Sequence, residues 1–263
     1  MIIKAKKSLG QNFLIDNNVI NIIIKSGTIE NRSVLEIGPG TGNLTRAILI
    51  EKPKKLFVIE KDNELSSLLI QNFDKNITII NDDILKFNEK ALTKEKLTVF
   101  GNLPYNISTE ILCKWITNLD FNNFWFSELI LMFQKEVANR IIAHSDTTNY
   151  GRLSILSNWK LNIKKICDIS PNSFFPKPKI ESSLLHFSPK KKFFKLNNPK
   201  NLEKITRIFF NHRRKMIKKP YNQIFNGDFK IINKLKIDLK LRPQNLDSMT
   251  YYNLTKEYEN LKS

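Results

Sequence analysis

The chain has 263 residues, 41% hydrophobic and 26% charged, a globular balance that excludes a disordered or collagen-like polymer. Lys and Arg number 43 against 25 Asp and Glu, a net charge of +18 that points to a polyanionic partner, nucleic acid first. Cys113 and Cys167 cannot build a disulfide framework, no Cys/His cluster has zinc spacing, and no apolar run approaches the roughly 20 residues of a membrane span. A cytoplasmic protein with no metal and no membrane partner is therefore expected.

In chain order, a small basic cluster (Lys4, Lys6, Lys7) comes first. From residue 34 to about 143, short β-rich runs alternate with helical patterns. The strands are expected at Val34–Ile37, Leu56–Ile59, Ile77–Ile80, Leu97–Phe100 and Leu129–Phe133, the first four apolar on both faces. Leu44–Ile50, Glu64–Asn72 and Ile107–Asn118 have helical periodicity. Such alternation predicts a mostly parallel, doubly wound sheet covered by helices. Ile163–Ile169 and Ser182–Phe187 are expected as edge strands joined by a Pro-rich connection. Residues 189–200 have the composition of a linker, and 201–263 are helical in pattern, so a main domain over 1–190 and a helical one over 201–263 are expected. Residues 160–219 hold 17 Lys/Arg against 3 Asp/Glu, with the densest run at Asn211–Lys219, which reads as a basic helix end. A solvated lysine face would explain such a run, and so would a surface that follows a phosphate backbone.

Strand Val34–Ile37 runs into Gly38-Pro39-Gly40-Thr41-Gly42, and a helix follows. Glycines there allow a tight turn and close approach of a ligand to the backbone. Glu60 lies twenty residues after Gly40, at the end of the next strand, where a carboxylate can accept both hydroxyls of a ribose. Asp83 follows the third strand. The glycine spacing is GxGxG, not the dinucleotide GxGxxG, and the loop has no basic residue. This suits an adenosine ligand without phosphate, such as S-adenosylmethionine, over NAD.

Asn102-Leu103-Pro104-Tyr105 ends the fourth strand. A proline turn alone would explain it structurally. Chemically, the run matches what N-methylation of adenine requires. The exocyclic amine is a poor nucleophile because its lone pair is delocalised into the ring. Two acceptors, the Asn102 side-chain oxygen and a main-chain carbonyl at Leu103 or Pro104, can take its two N–H hydrogens. The Tyr105 ring can stack on the base. Alignment and polarisation then carry catalysis without a strong base. His144, His186 and His212 fall in no triad or metal motif.

These motifs, with Lys7–Leu14, Gln134–Val137, Tyr150–Ser154, Phe174–Lys179 and Arg213–Lys215, run in order along nearly the whole chain. The sequence resembles the ribosomal RNA adenine N6,N6-dimethyltransferase family of the small-subunit (16S) type. The resemblance implies a class I S-adenosylmethionine-dependent methyltransferase fold, Rossmann-like, with a small helical C-terminal domain. It implies methylation of two adjacent adenosines in a hairpin near the 3′ end of 16S rRNA, on the small subunit or its precursor, by a monomer. By the same resemblance Asn12, Leu14, Gly38, Gly40, Glu60, Asp83 and Asn102 line the cofactor. Tyr105 and Phe174 flank the target base, and Lys7, Lys177, Lys179, Arg213, Arg214 and Lys215 meet RNA. The erythromycin-resistance type of large-subunit rRNA dimethyltransferase, which shares the Asn-x-Pro-Tyr site, and a non-catalytic assembly factor on the same scaffold are the alternatives. Leu103 and the Gly-Gln-Asn-Phe-Leu-Ile-Asp stretch favour the small-subunit type.

Overall fold

The computed structural model describes residues 5–6, 9–73, 77–119 and 124–262. The elements in chain order are β1 (Phe13–Leu14), α1 (Asn17–Lys25), β2 (Ser33–Ile37), α2 (Asn43–Ile50), β3 (Lys55–Ile59), α3 (Asn63–Asn72), β4 (Ile77–Ile80), β5 (Leu97–Gly101), α4 (Ser108–Thr117), β6 (Phe126–Gln134), α5 (Lys135–Ile142), α6 (Arg152–Lys160), β7 (Leu161–Ile169), β8 (Phe174–Phe175), β9 (Ser182–Pro189), α7 (Pro199–Phe210), α8 (Lys218–Phe225), α9 (Phe229–Leu235) and α10 (Ser248–Asn260). Local chemistry marks several helix starts. Asp16 accepts from Asn18 N and Val19 N ahead of α1, and Asp62 from Glu64 N ahead of α3.

Packing divides the chain into two compact units. The first is Met1–Lys114, Asp120–Ala138 and Asn162–Pro189; the second is Trp115–Leu119, Asn139–Leu161 and Lys190–Ser263. The second unit thus takes in α6 as well as the residues from Lys190 onward.

The first unit is built on a seven-stranded sheet in the order β4-β3-β2-β5-β6-β9-β7. Strands β4 through β6 are parallel and β9 runs antiparallel to β6. Every residue of β2 and β5 is buried, as expected of strands covered on both faces. Val34, Val58, Phe100, Ile130 and Met132 pack in one core cluster with Ile23, Ile48 and Leu69 of α1–α3. The class I methyltransferase expectation holds: a mostly parallel, doubly wound sheet, with a helical C-terminal unit. Ser182–Phe187 differs from expectation. Strand β9 lies between β6 and β7 and is not an edge. Its first four residues are buried, which an edge strand would not require.

The register positions the site. Ile37 pairs with Ile59 on one side and Gly101 on the other, and Ile59 pairs with Ile80. Four strands therefore end in one row, and the residues after them meet at one crevice. The strand order reverses at β2, which is where doubly wound sheets bind ligands.

In the second unit, residues 190–198 are irregular but not a free tether. Trp159 Nε1 donates to Phe194 O at 2.8 Å, and the Phe193 and Phe194 rings pack on Trp159 and Tyr252. Burial of these aromatics holds a segment whose lysines alone suggest a linker. The Glu259 carboxylate, 5% exposed, accepts from Asn197 N and Asn198 N at 2.8 Å each, just ahead of α7. Hydrogen bonds to a charged acceptor contribute about 1.5–3 kcal/mol. Glu259→Ala should therefore lower global stability by about 2–3 kcal/mol in urea unfolding. Affinity for a ligand in the first unit, measured by calorimetry on the folded variant, should stay within about twofold.

Candidate active site

The crevice at the strand ends holds about 1220 Å³ of empty space. Its walls carry Asn12, Leu14, Gly38, Gly40, Glu60, Asp83, Asn102, Leu103, Pro104 and Tyr105, so every cofactor residue expected from sequence and four of the five catalytic ones meet there. In the glycine loop Gly38 has φ +66° and Gly40 φ +59°, both in the left-handed region. A Cβ on Gly40 would lie 2.7 Å from the Phe13 ring, and one on Gly38 3.4 Å from the Asn102 carbonyl oxygen. The backbone is thus open to a ligand on one side and closely packed on the other.

Four acidic residues line this space: Glu36, Glu60, Asp82 and Asp83. Glu60 is 7% exposed; Oε1 accepts from Asp62 N at 2.9 Å and Oε2 from Gly40 N at 3.4 Å. Burial pushes its carboxyl above the usual range. Each carboxylate oxygen has two lone pairs, so both keep capacity for a ligand hydroxyl. Asp83 pairs with Lys61 at 2.8 Å and accepts from Leu85 N, and the lysine holds its carboxyl below the usual range. Glu36, which sequence reasoning noted only as part of the glycine motif, is 1% exposed. Its Oε2 has no partner among the described residues, and burial pushes the carboxyl up to about 8. An unsatisfied polar atom inside a crevice marks a site that a ligand or water completes.

The fourth strand's turn is the most constrained part. Asn102 Nδ2 donates to the Asn12 carbonyl at 2.9 Å. A carbonyl can be met only by a donor, so this bond settles which end of the amide is which. Among the described residues, Oδ1 is left as the free acceptor. The Pro104 carbonyl accepts from Ile107 N at 3.1 Å and Ser108 N at 3.0 Å, at the start of α4. Both its lone pairs are used. Of the two main-chain acceptors considered from sequence, Leu103 O is the one that remains, while the Leu103 side chain is buried at 1% exposure. The Tyr105 hydroxyl shares a hydrogen bond with Ser182 Oγ at 2.5 Å, and burial pushes its phenol up.

Phe174 does not flank the site. It pairs with Leu14 in the β1–β8 ladder, is 2% exposed and belongs to the core cluster. Alternation along β8 turns its neighbour Phe175 outward instead, at 60% exposure. Among the expected RNA residues, Lys177, Lys179, Arg214 and Lys215 are exposed. Arg213 is partly committed, because Nη2 donates to the Thr147 carbonyl at 3.2 Å and to the Thr148 carbonyl. The basic run around it is a turn between α7 and α8, since α7 ends at Phe210. Lys7 lies outside the described residues. His186 pairs with Glu128 at 2.9 Å and does not line the crevice.

Sequence reasoning missed what holds the N-terminal strap, residues 9–14, in the crevice wall. Asn43 Nδ2 donates to Leu14 O at 2.8 Å. Gln11 Nε2 donates to Asp62 Oδ2 at 2.8 Å, Lys6 Nζ to Asp62 Oδ1 at 2.9 Å, and Lys6 N to Gln11 Oε1 at 2.7 Å. Asp62 is also the residue whose N–H holds Glu60, so strap and ribose-type acid share a support. Glycine φ values, acid spacing and the free Asn102 acceptor together fit an adenosine ligand carrying no phosphate.

Comparison with known proteins agrees. Residues 2–260 match the family model described as "Ribosomal RNA adenine dimethylase". This chain belongs to the ribosomal RNA adenine dimethylase family. It is 63% identical to Ribosomal RNA small subunit methyltransferase A of Pelagibacter ubique (strain HTCC1062) over 262 residues, all of both chains. It is 41% identical to the protein of that name from Wolbachia sp. subsp. Drosophila simulans (strain wRi), over 93% of this chain and 90% of that one. Among solved structures, a dimethyladenosine transferase from Plasmodium falciparum superposes with a TM-score of 0.76 at 26% identity, covering 94% of this chain and 98% of the other. The 23S rRNA methyltransferase ErmE superposes at 0.67 with 20% identity, covering 96% of this chain and all of that one, and shares the fold.

Two outcomes follow for the dimethylase's crevice. Gln11→Ala removes two strap hydrogen bonds of about 1 kcal/mol each, so affinity for S-adenosylhomocysteine should fall about tenfold in calorimetry, with the fold retained. Glu36 gives a pH effect of defined sign. Its carboxyl rises from 4.5 to about 8 on folding, so the unfolded state ionises first and stability falls as pH climbs between those values. Ligand-free Glu36→Gln should unfold at higher temperature than the parent at pH 8, with the gap closing toward pH 4.5. A gap independent of pH would exclude the buried acid as its source.

Proposed function

We propose that this protein transfers methyl groups from S-adenosylmethionine to N6 of two adjacent adenosines near the 3′ end of small-subunit (16S) rRNA, giving N6,N6-dimethyladenosine. It acts in the cytoplasm as a monomer, on the small subunit or its precursor. The small-subunit branch is favoured by the printed names of relatives up to 63% identical to it. The observation that carries the chemistry is the Asn102 amide, whose donor end is tied to Asn12 O and whose acceptor end stays free at the crevice.

In this reading Glu60 takes the ribose hydroxyls, Asp83 accepts from the adenine amine of the cofactor, and Gly38 and Gly40 let the backbone close on it. When bound, S-adenosylmethionine supplies an electrophilic methyl group on a sulfonium, itself a good leaving group. Asn102 Oδ1 and Leu103 O accept the two N–H hydrogens of the target amine. That bends the nitrogen toward tetrahedral geometry and frees its lone pair. The Tyr105 ring stacks on the flipped base and its plane is held by the Ser182 bond. The proton released after each transfer passes to water. Once one methyl is in place the amine has a single N–H, so one acceptor aligns it for the second transfer. Arg214, Lys215, Lys177 and Lys179 neutralise phosphates, while RNA shape sets register.

Asn102→Ala should lower methyl transfer to small-subunit RNA by about 10²–10³-fold or more, the scale of losing one polarising group. S-adenosylhomocysteine affinity should change less than about threefold. Tyr105→Phe should keep most activity, whereas Tyr105→Ala loses about 1–3 kcal/mol of base stacking. Mass spectrometry of the modified rRNA reads both, and an Asn102→Ala enzyme that still yields dimethyladenosine at the parent rate would refute the amide's role.

A further inference from the structure

The second unit carries a concave surface that the methyl-transfer reading does not use. It is a groove of about 810 Å³ with Arg152 at the start of α6 on one side and α7 from Pro199 to Arg207 on the other. Lys200, Lys204 and Arg207 sit at i, i+4 and i+7, which places them on one face of α7. The opposite face is spent on the core, with Leu202, Ile205, Thr206 and Phe209 all buried. Glu203 is the one acid in the lining, against four cations. Among the described residues, Arg152, Lys200 and Arg207 have no acidic partner within salt-bridge distance. Lys204 is preset: its Nζ donates to the Tyr258 hydroxyl at 2.5 Å and lies 4.9 Å from the ring centroid.

Four like charges in a concavity repel one another, and Glu203 is the single acid of the lining set against them. Elsewhere exposed lysines pair with acids, such as Lys54 with Glu95 and Lys234 with Glu257. A 12-residue helix with about 1.5 Å rise per residue spaces i and i+4 about 6 Å apart and i to i+7 about 10.5 Å. That is close to the step between successive phosphates of a nucleic-acid strand. Arg207 at one end of the row and Arg152 on the facing side suit bidentate contact with phosphate oxygens.

We propose that this groove is a second RNA-backbone site, separate from the methylation crevice and from the Arg214–Lys215 turn, that seats successive phosphates of the substrate rRNA strand. The proposal rests on the reading of the protein as an rRNA methyltransferase.

The test uses the full-length protein with Arg152→Gln, Lys200→Gln and Arg207→Gln combined; Lys204 is left in place because it is tied to Tyr258. A control with the same charge loss carries Lys25→Gln, Lys52→Gln and Lys55→Gln, exposed positions in the first unit. Affinity for protein-free small-subunit rRNA and for small-subunit particles is measured across a KCl series. The groove variant should bind both about 10- to 100-fold more weakly at 0.1 M salt, and its log–log salt slope should shrink by about 2–3. S-adenosylhomocysteine affinity should be unchanged, and Arg152→Lys with Arg207→Lys should recover most of the slope. An equal loss in the control would mean that net charge alone acts, and the groove would be discarded. Weaker binding to particles with unchanged binding to naked RNA would assign the groove to a protein partner and overturn the proposal. If the parent chain methylates no small-subunit RNA, the underlying reading fails, independently of the groove.

Discussion

One hydrogen bond, from the Asn102 amide nitrogen to the Asn12 carbonyl, decides what the crevice can do. An amide free to rotate would present its donor and acceptor ends alternately, and a donor facing an amine polarises nothing. Anchoring Nδ2 leaves an acceptor. The anchor is a backbone carbonyl on the N-terminal strap, so the chemistry at the end of β5 depends on where that strap lies. Its seat is over-determined by Asn43, by the Gln11–Asp62 bond, by the β1–β8 ladder and by the Phe13 ring on Gly40. Each tie is modest by itself. Together they fix a short segment with little secondary structure of its own, as preorganisation of a reacting centre demands.

Charge is divided in the same spirit. The molecule carries +18, yet the crevice is lined by Glu36, Glu60, Asp82 and Asp83, with Lys61 as the local cation. In the proposed reading, a sulfonium-bearing ligand is drawn to the acids and an RNA backbone to the exposed lysines and arginines. Burial pushes the Glu36 and Glu60 carboxyls up, favouring the neutral form over two bare charges side by side. A bound cation would reverse that preference, since an opposite charge favours the ionised form.

What sequence shows depends on range. The strands β2 to β5 and helices α2 and α3 follow from local periodicity, and their observed bounds lie within a residue or two of those expected. The glycine loop, Glu60 and Asp83 are legible because strand ends in register must share a crevice. Phe174 illustrates the limit: motif position places an aromatic near the base, but strand alternation decides which of two adjacent phenylalanines turns inward, and the pairing of β8 with β1 spans 160 residues of sequence. Ser182 as the partner of Tyr105, Asp62 as the partner of Gln11, and the spent lone pairs of Pro104 have no local signature either. The 190–198 segment is irregular, as its composition suggests, while the packing of the Phe193 and Phe194 rings has no signature in a lysine-rich run.

The site also explains why the proposed reaction needs no titrating base. Three ionisable groups in the crevice wall are engaged: Glu60 on backbone N–H groups, Asp83 on Lys61, Tyr105 on Ser182. Glu36 is buried and favours its protonated form near neutrality, so it is poorly suited to accept a proton. A nucleophile whose attacking lone pair is merely delocalised does not need deprotonation before attack. It needs its hydrogens held out of the ring plane, and fixed oxygen acceptors do that at no reorganisation cost. The amine's surplus proton becomes strongly acidic only after the methyl has moved, when water suffices to remove it. Neutral acceptors, rather than a base, are therefore the economical solution for a nitrogen that must react twice in one pocket.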